Sequence, residues 1–551
     1  MGFLGILEDK YLTHVPATVI LNAKRAPTEY VASGLKYGKD KNSHIILVPQ
    51  PTDDPNDPLN WTRIRKLALL ATICFGGIIM AGVYSALLNP GLGVIAADLD
   101  RSINDIAVLS SYQLLTAGAA GFFVAACSRK FGKRPVFFFS SLLGTVGSII
   151  GSCVVTYNGI FAARVVQGLA TSTYESILVS AIGDLYFVHQ RGIYMSIVQF
   201  TLIAVSNVAA VVAGPITDNL GWQYLFHLCT LFSGIQTILV FFFVPETNYI
   251  REARRVITEN LHELAQKDDH AGTAYHLELS DNTEALNAPS PSRVIPAKKT
   301  FVQELALFSG SYCDEHFLQL LIAPLAVCTN LAILWSVVVS GGLTALYVSQ
   351  AMSLAQIFTS PPYLLSAAGV GYLSLGPFFG ALLGSILMSI VTDPIIRWCA
   401  TKNKGIYEPE YRLLAVTGGL LTGVGLFGFG ALSQAGKTYY ITATMHGITL
   451  AGVVIAAIAI GAYAIDAYPD MRDDVFVSMI IFKNFAFYGF SWFVNAWVAR
   501  SGPAHVFYVL GGLAFAMVAS TPLLFFFGKR YRSYWSRKNL LAKMHIQAHG
   551  E

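Results

Sequence analysis

Four charged side chains stand inside otherwise apolar stretches, and what they could do chemically depends on how the rest of the chain holds them. Arg164, Glu175 and Asp184 follow one another along one stretch, and Lys483, with Asn484 beside it, interrupts another. On a helix, Glu175 falls about 16 Å beyond Arg164 at 1.5 Å per residue. Desolvation raises the proton affinity of a carboxylate in hydrocarbon, and a neighbouring cation lowers it. That sensitivity suits Glu175 to a site where a proton is exchanged for a ligand. In a stretch with no other charge nearby, it also suits a cationic ligand. The competing reading is a helix-end carboxylate held by a neighbouring hydroxyl. Lys483 either pairs with an acidic group or extends its ammonium to the membrane interface. A guanidinium in the hydrocarbon zone is costly unless paired or hydrated, so Arg164 is expected to face an interior. Around these charges, Asn89, Gln199, Asn207 and Asn330 offer hydrogen bonds, and Trp335, Tyr463 and Tyr488 offer ring faces. Tyr112, Gln113 and Tyr347 extend the set of candidates for lining a cavity.

The elements that must position them are membrane helices. Only 13% of the residues are charged, and the mean hydropathy is +0.53. Apolar runs close to the roughly 20 residues needed to cross a bilayer recur along the chain. The expected spans are 67–90, 106–127, 135–155, 158–183, 193–215, 225–245, 318–348, 364–391, 411–431, 440–465, 475–499 and 505–527. The 48 glycines and 12% aromatics fit helices packed on small residues with aromatic belts at the interfaces. The seven cysteines lack metal-ligand spacing and read as free thiols. Residues 1–43 show no signal-peptide core, so the first membrane helix would serve for targeting.

Charge sets the orientation. The short loops on one side carry Arg129, Lys130, Lys133, Arg134, Arg191, Arg397, Lys402, Lys404, Arg412 and Arg472; the other side carries Arg101, Lys437 and Arg500. The basic side is expected to be cytoplasmic, with both termini there. The expected organisation is a cytosolic N-terminal segment 1–65, a six-helix bundle 66–246, a cytosolic loop 247–315, a second six-helix bundle 316–528 and a basic cytosolic tail 529–551. Two halves of six helices suggest parallel repeats, as in many transporters. Arg164 precedes Asp184 by 20 residues, as His446 precedes Asp466, and Ser196 and Ser478 keep the same offset of 282.

Several motifs carry a family resemblance. Phe131-Gly132-Lys133-Arg134-Pro135 resembles the signature loop of major facilitator transporters, although Ala125 stands at its first glycine and Arg129 at its aspartate. In that loop glycine permits a tight turn, and the basic pair anchors to headgroups and helix ends. The departure at Arg129 puts the usual aspartate-to-arginine latch of the cytoplasmic gate in question. Arg164-Val165-Val166-Gln167-Gly168 resembles the fourth-helix motif, to which the family assigns proton coupling; the alternative is an interhelical structural bond. Gly214-Pro215 resembles the start of the antiporter motif, but Ile216-Thr217-Asp218 follows where glycines are usual. The segment 405–413, GIYEPEYRL, is similar to a loop of fungal drug:proton antiporter-type and polyamine carriers, and its acidic pair can bridge basic residues at neighbouring helix ends. The stretches 184–192 and 53–61 add two more fungal-type matches.

The resemblance implies an all-α membrane protein of twelve helices in two bundles, the major facilitator fold. It implies proton-coupled alternating access, with Arg164, Glu175, Asp184, Gly132, Lys133, Arg134, Gly214 and Pro215 in coupling and gating. The expected activity is proton-coupled export of a small organic molecule, a secondary metabolite or a xenobiotic. Uptake of small organic cations such as polyamines, or a receptor that binds without transporting, are the alternatives. The expected partners are substrate, protons and the lipid bilayer, with the plasma membrane as the expected location, and with no nucleic acid, no metal, no cofactor and a monomeric chain.

Two other patterns dissolve on inspection. Gly423-Val424-Gly425-Leu426-Phe427-Gly428 fits a dinucleotide fingerprint but lies in an apolar helix with no preceding strand. Gly436-Lys437-Thr438 ends a run with alanine where a phosphate loop needs glycine. No HExxH or GxSxG occurs, so a non-enzyme is expected.

Overall fold

A computed structural model describes residues 3–9, 11, 15, 17–20, 51–187, 194, 197–198, 200–249, 297–313, 315–403, 406–468 and 471–538. Gln199, Arg191, Ser196 and most of the central loop lie outside the described residues, as do the side chains of Arg397 and Arg472. The first six long helices are α1 Arg63–Ala86, α2 Ile103–Phe131, α3 Lys133–Cys153, α4 Tyr157–Leu185, α5 Thr201–Asn219 and α6 Gln223–Phe243. The second six are α7 Leu331–Phe358, α8 Ala367–Lys402, α9 Pro409–Gln434, α10 Tyr439–Ala467, α11 Arg472–Ser491 and α12 Val494–Arg537.

Ten of these helices are long and apolar enough to cross a membrane by length and composition. The other two are α4 and α11. They are the helices that carry Arg164, Glu175 and Asp184, and Lys483 with Asn484. In each half the helices pack as a bundle: α4 against α2 and α3, and α3 against α6; α10 against α8 and α9, and α9 against α12. Contacts between the halves run through α2 with α11 and α5 with α8. The face bearing the chain ends and the α2–α3 turn is called the terminal face below, and the opposite one the far face.

Local sequence explains the helix ends. Ser102 and Asp105 form a capping box on α2, and the Thr156 hydroxyl accepts from Gly159 N at the start of α4. The expected span 318–348 merges two elements. Phe317–Ala326 is a separate short helix, and α7 begins only after Asn330, whose side chain accepts from Ala332 N and Ile333 N. Asn330 is therefore an N-cap rather than a cavity-lining amide. α12 breaks at Gly502 (φ 77°), beside Gln434 at the far end of α9, so the chain reverses there. The dinucleotide-like glycines pack α9 closely: a Cβ on Gly423 would meet the Phe515 ring, and one on Gly425 would meet Thr449.

On the terminal face, β1 (Val19–Ile20) pairs antiparallel with β2 (Ile406–Tyr407), Val19 opposite Tyr407. The N-terminal segment thus docks under the second bundle, not the first that it precedes. Ile6 and Val15 are buried there, and the Thr18 hydroxyl donates to Glu408 Oε2 at 2.9 Å.

Candidate functional site between the two bundles

The charges of α4 and α11 meet across the bundle interface. Lys483 Nζ donates to Glu175 Oε1 at 2.7 Å, and Asn484 Nδ2 donates to Glu175 Oε2 at 3.0 Å. Glu175 lies 10 residues before the terminal-face end of α4, and Lys483 lies 11 residues after the start of α11. Both therefore stand about 15 Å inside that face. The Glu175 side chain is 12% exposed and that of Lys483 19%. Close approach of the helices permits the contact, since Gly118 of α2 faces the Asn484 Cβ. Sequence reading left Glu175 in an uncharged stretch. The fold brings an ammonium to it from 308 residues away, which removes the argument for a cationic ligand. Tyr112 and Tyr488 continue the interface with ring centroids 5.6 Å apart.

Below this pair the interface is closed toward the terminal face. Ala125, Val477 and Ile481 form a small apolar cluster with Phe122 packed on it. Beyond it, Arg129 Nη2 meets Asp474 Oδ2 at 2.7 Å. Arg129 replaces the aspartate of the signature loop, yet it still makes a bridge between the halves, with the charges reversed.

The signature turn itself holds the first bundle together. Gly132 has φ 98°, and the next two backbone N–H groups, of Lys133 and Arg134, donate to Glu246 Oε1 and Oε2 at 3.0 and 3.1 Å. A Cβ at Gly132 would lie 2.1 Å from Glu246 Oε2, so only glycine fits. Arg134 donates to the carbonyls of Phe241 and Val244 at the end of α6, and Lys133 Nζ bridges to Asp184 at 2.5 Å. Both basic side chains are buried, which corrects the expectation that they reach lipid headgroups. The second bundle repeats the plan. Arg412 bridges to Asp466 at 2.5 Å, and Arg532 meets Glu408 and Glu410 at 2.8 Å each. Here the acid lies at the start of α9 and the base near the end of α12, the reverse of Arg134 and Glu246.

Arg164 is fully buried inside the first bundle, away from Glu175's ion pair. Its Nη1 donates to the Tyr84 carbonyl at 2.7 Å and to Gln167 Oε1 at 3.1 Å, and Gln167 Nε2 donates to Ser148. The structure thus supplies the interhelical bond weighed as the alternative for this arginine.

Toward the far face, α5 and α8 close the interface. A Cβ on Gly214 would lie 2.5 Å from the Ala367 carbonyl oxygen, so the two backbones touch. Asp218, one turn beyond Gly214 and Pro215, accepts from the backbone N–H of Ala367 and Ala368 at 3.2 and 2.8 Å. Between this closure and the middle, a cavity of about 40 Å³ is lined by residues that include Asn89, Asn207, Ser374 and His446. The Tyr347 hydroxyl donates to Asn207 Oδ1 at 2.6 Å across the interface. Trp335 and Tyr463 do not join this lining: Trp335 Nε1 donates to Ser520 on α12, and Tyr463 is wholly buried on α10. Closed at both faces, the arrangement is occluded.

Comparisons with known proteins point to a known fold and family. The Major Facilitator Superfamily profile matches residues 73–487. The chain belongs to the Major Facilitator Superfamily. An uncharacterised MFS-type transporter of Schizosaccharomyces pombe is 24% identical, covering 98% of this chain and 96% of that one. Protein HOL1 of Saccharomyces cerevisiae is 22% identical over 92% and 94% of the two chains. Among solved structures, a D-xylose-proton symporter superposes with a TM-score of 0.56 at 14% identity, covering 83% of this chain and 97% of that one. That likeness concerns the fold. The chain is an integral membrane transporter of the superfamily, a class that acts on small molecules.

Sequence reading missed Asp218, Glu246 and Asp474. Asp218 ends the very segment where the antiporter motif departs from its glycines, and Arg129, standing where an acid is usual, called for an acidic partner elsewhere.

Proposed function

We propose that this transporter is proton-coupled, and that Glu175, held by Lys483 and Asn484, is where protonation and substrate binding meet. The carrying observation is that ion pair across the moving interface. Alternating access requires α4 and α11 to part, and parting leaves a carboxylate on one bundle and an ammonium on the other. Breaking a buried pair by removing one partner typically costs about 3–5 kcal/mol. Partial exposure lowers that figure here. Protonating Glu175 neutralises one side, and substrate groups satisfy what remains. In this reading Gly214, Pro215 and Asp218 form one gate, and Arg129 with Asp474 forms the other.

The excess of basic loop residues supports a cytoplasmic terminal face. The fungal-type motifs at 53–61, 184–192 and 405–413 support the branch of drug:proton antiporter-type and polyamine carriers, and Gly214-Pro215 favours export of a small organic molecule within it.

Reconstituted protein under an imposed pH gradient tests the coupling. The compounds to load are those that accumulate in a strain lacking the gene. Expected is flux that a protonophore abolishes and that Glu175→Gln abolishes, with the variant eluting as a folded protein. Flux indifferent to the protonophore rejects coupling. Binding without flux makes the chain a receptor, and loss of cation uptake in the deletion strain reverses the direction.

A further inference from the structure

The far-side cavity contains a titratable group that the Glu175 reading does not use. His446 is 1% exposed, and neither Nδ1 nor Nε2 has a hydrogen-bond partner. Asn89 Oδ1, in the same lining, is also buried without a partner. A buried polar atom left unsatisfied costs about 1–3 kcal/mol, and native proteins hold few of them. Other buried polar atoms among the described residues also lack partners, and these two residues meet at one cavity between the bundles. The cavity has about 40 Å³ of room, and a water needs roughly 10–15 Å³.

The ring is fixed in place. Tyr347 of α7 stacks on it with centroids 5.2 Å apart, and Phe429 of α9 lies at 6.0 Å. From α8 the cavity receives Ser374, and from the first bundle it receives Asn89 and Asn207. Among the described residues that these contacts and this lining bring to His446, Tyr347 is the other titratable group, and none carries a formal charge at neutral pH. An imidazolium there would thus lack a counter-ion while the interface is closed. The small cavity holds a few waters at most, and separation of the bundles would admit the bulk water that solvates the charge. His446 also holds the position on α10 that Arg164 holds on α4, each the seventh residue after the start of a 29-residue helix. One half places a permanent cation at this level, and the other an ionisable one.

We infer that His446 is a proton-binding site in the outer half of the transport path, and that protonating it from the far side favours the arrangement open to that side. The proton passes from external water to a ring nitrogen as α5 and α8 separate. Closing the gate again requires its return. Histidine is suited to this because its ordinary charge change falls between pH 5 and 8. The inference rests on the far face being external and on the proton-coupled reading of the chain.

Spin labels on non-canonical residues at positions 220 and 360, where Leu220 and Ser360 are exposed near the far-face closure, read its opening in nanodiscs. In the unsubstituted protein the ratio of long to short distances should rise roughly tenfold between about pH 7.5 and 5.5, as follows when the ring titrates near the ordinary histidine value of about 6.5 in the open arrangement and stays neutral in the closed one. His446→Gln and His446→Leu should each remove the rise; either one that folds suffices. A rise that persists in the folded variant, or no rise in the unsubstituted protein, overturns the inference. The distance needs neither substrate nor flux. Failure of proton-coupled transport in liposomes would therefore reject the coupling reading without deciding this measurement.

Discussion

Reversing Arg129 to aspartate should open the terminal face, and reversing its partner as well should close it again. Arg129 Nη2 and Asp474 Oδ2 are 2.7 Å apart, with side chains 17% and 3% exposed. A surface pair is worth about 0–1 kcal/mol and loss of a partner from a buried pair about 3–5 kcal/mol. With one member nearly buried, this bridge falls between those limits, at about 2 kcal/mol. That free energy changes the ratio of closed to open forms about 30-fold. Arg129→Asp adds repulsion from Asp474, so the shift should be at least that large. The double swap Arg129→Asp with Asp474→Arg should recover most of it. Recovery will be incomplete, because Asp474 lies in the first turn of α11, where the helix dipole disfavours a cation by roughly 0.3–1 kcal/mol. Labels at positions 131 and 402, exposed at the terminal ends of α2 and α8, report the separation by electron–electron distance measurement. Equal opening in the single and double variants would refute an ion-pair latch, as would a single variant that stays closed.

Three further outcomes follow from the geometry. Gly132→Ala should lower the melting temperature of the purified protein, because it forces a left-handed alanine whose Cβ lies 2.1 Å from Glu246 Oε2; unchanged melting would refute the turn's role. Asp218→Asn weakens the carboxylate's hydrogen bonds to the backbone N–H of Ala367 and Ala368, so the far-face distance between positions 220 and 360 should lengthen, and an unaltered distribution would remove Asp218 from the gate. Arg532→Met leaves Glu408 and Glu410 together without their shared guanidinium, and thermal unfolding should fall by several degrees; an equal melting point would show that Lys529 alone suffices for Glu408.

Much of the architecture could be read from periodic hydrophobicity, since a bilayer demands long apolar helices and tolerates few charges. The repeat was legible too: Asp184 and Asp466, matched by offset, both pair with a basic residue at the start of the preceding helix. Glu175 and Lys483 each stood out by type alone, but their pairing did not, because nothing local to α4 says which helix will face it. The same blindness to facing direction placed Asn330, Trp335 and Tyr463 among cavity residues, when they cap or pack helices. The boundary of α7 was misread because the helix Phe317–Ala326 is itself apolar, so hydropathy runs through the break that Asn330 makes.

The strand pairing of Val19 with Tyr407 has a consequence for how the chain is made. The docked N-terminal segment leaves the ribosome more than 500 residues ahead of part of its seat, around Phe526 and Lys529. At about 5–20 residues per second, roughly half a minute to two minutes separate the two. During that interval the contacts of Gly5 with Phe526 and of Glu8 with Lys529 cannot form, and the β1 edge lacks its strand partner until Ile406 and Tyr407 have emerged. A fusion placed ahead of Met1 would intrude on this late docking step, so low yield from amino-terminal tags, relieved by moving the tag to the other end, would be a signature of assembly order rather than of transport.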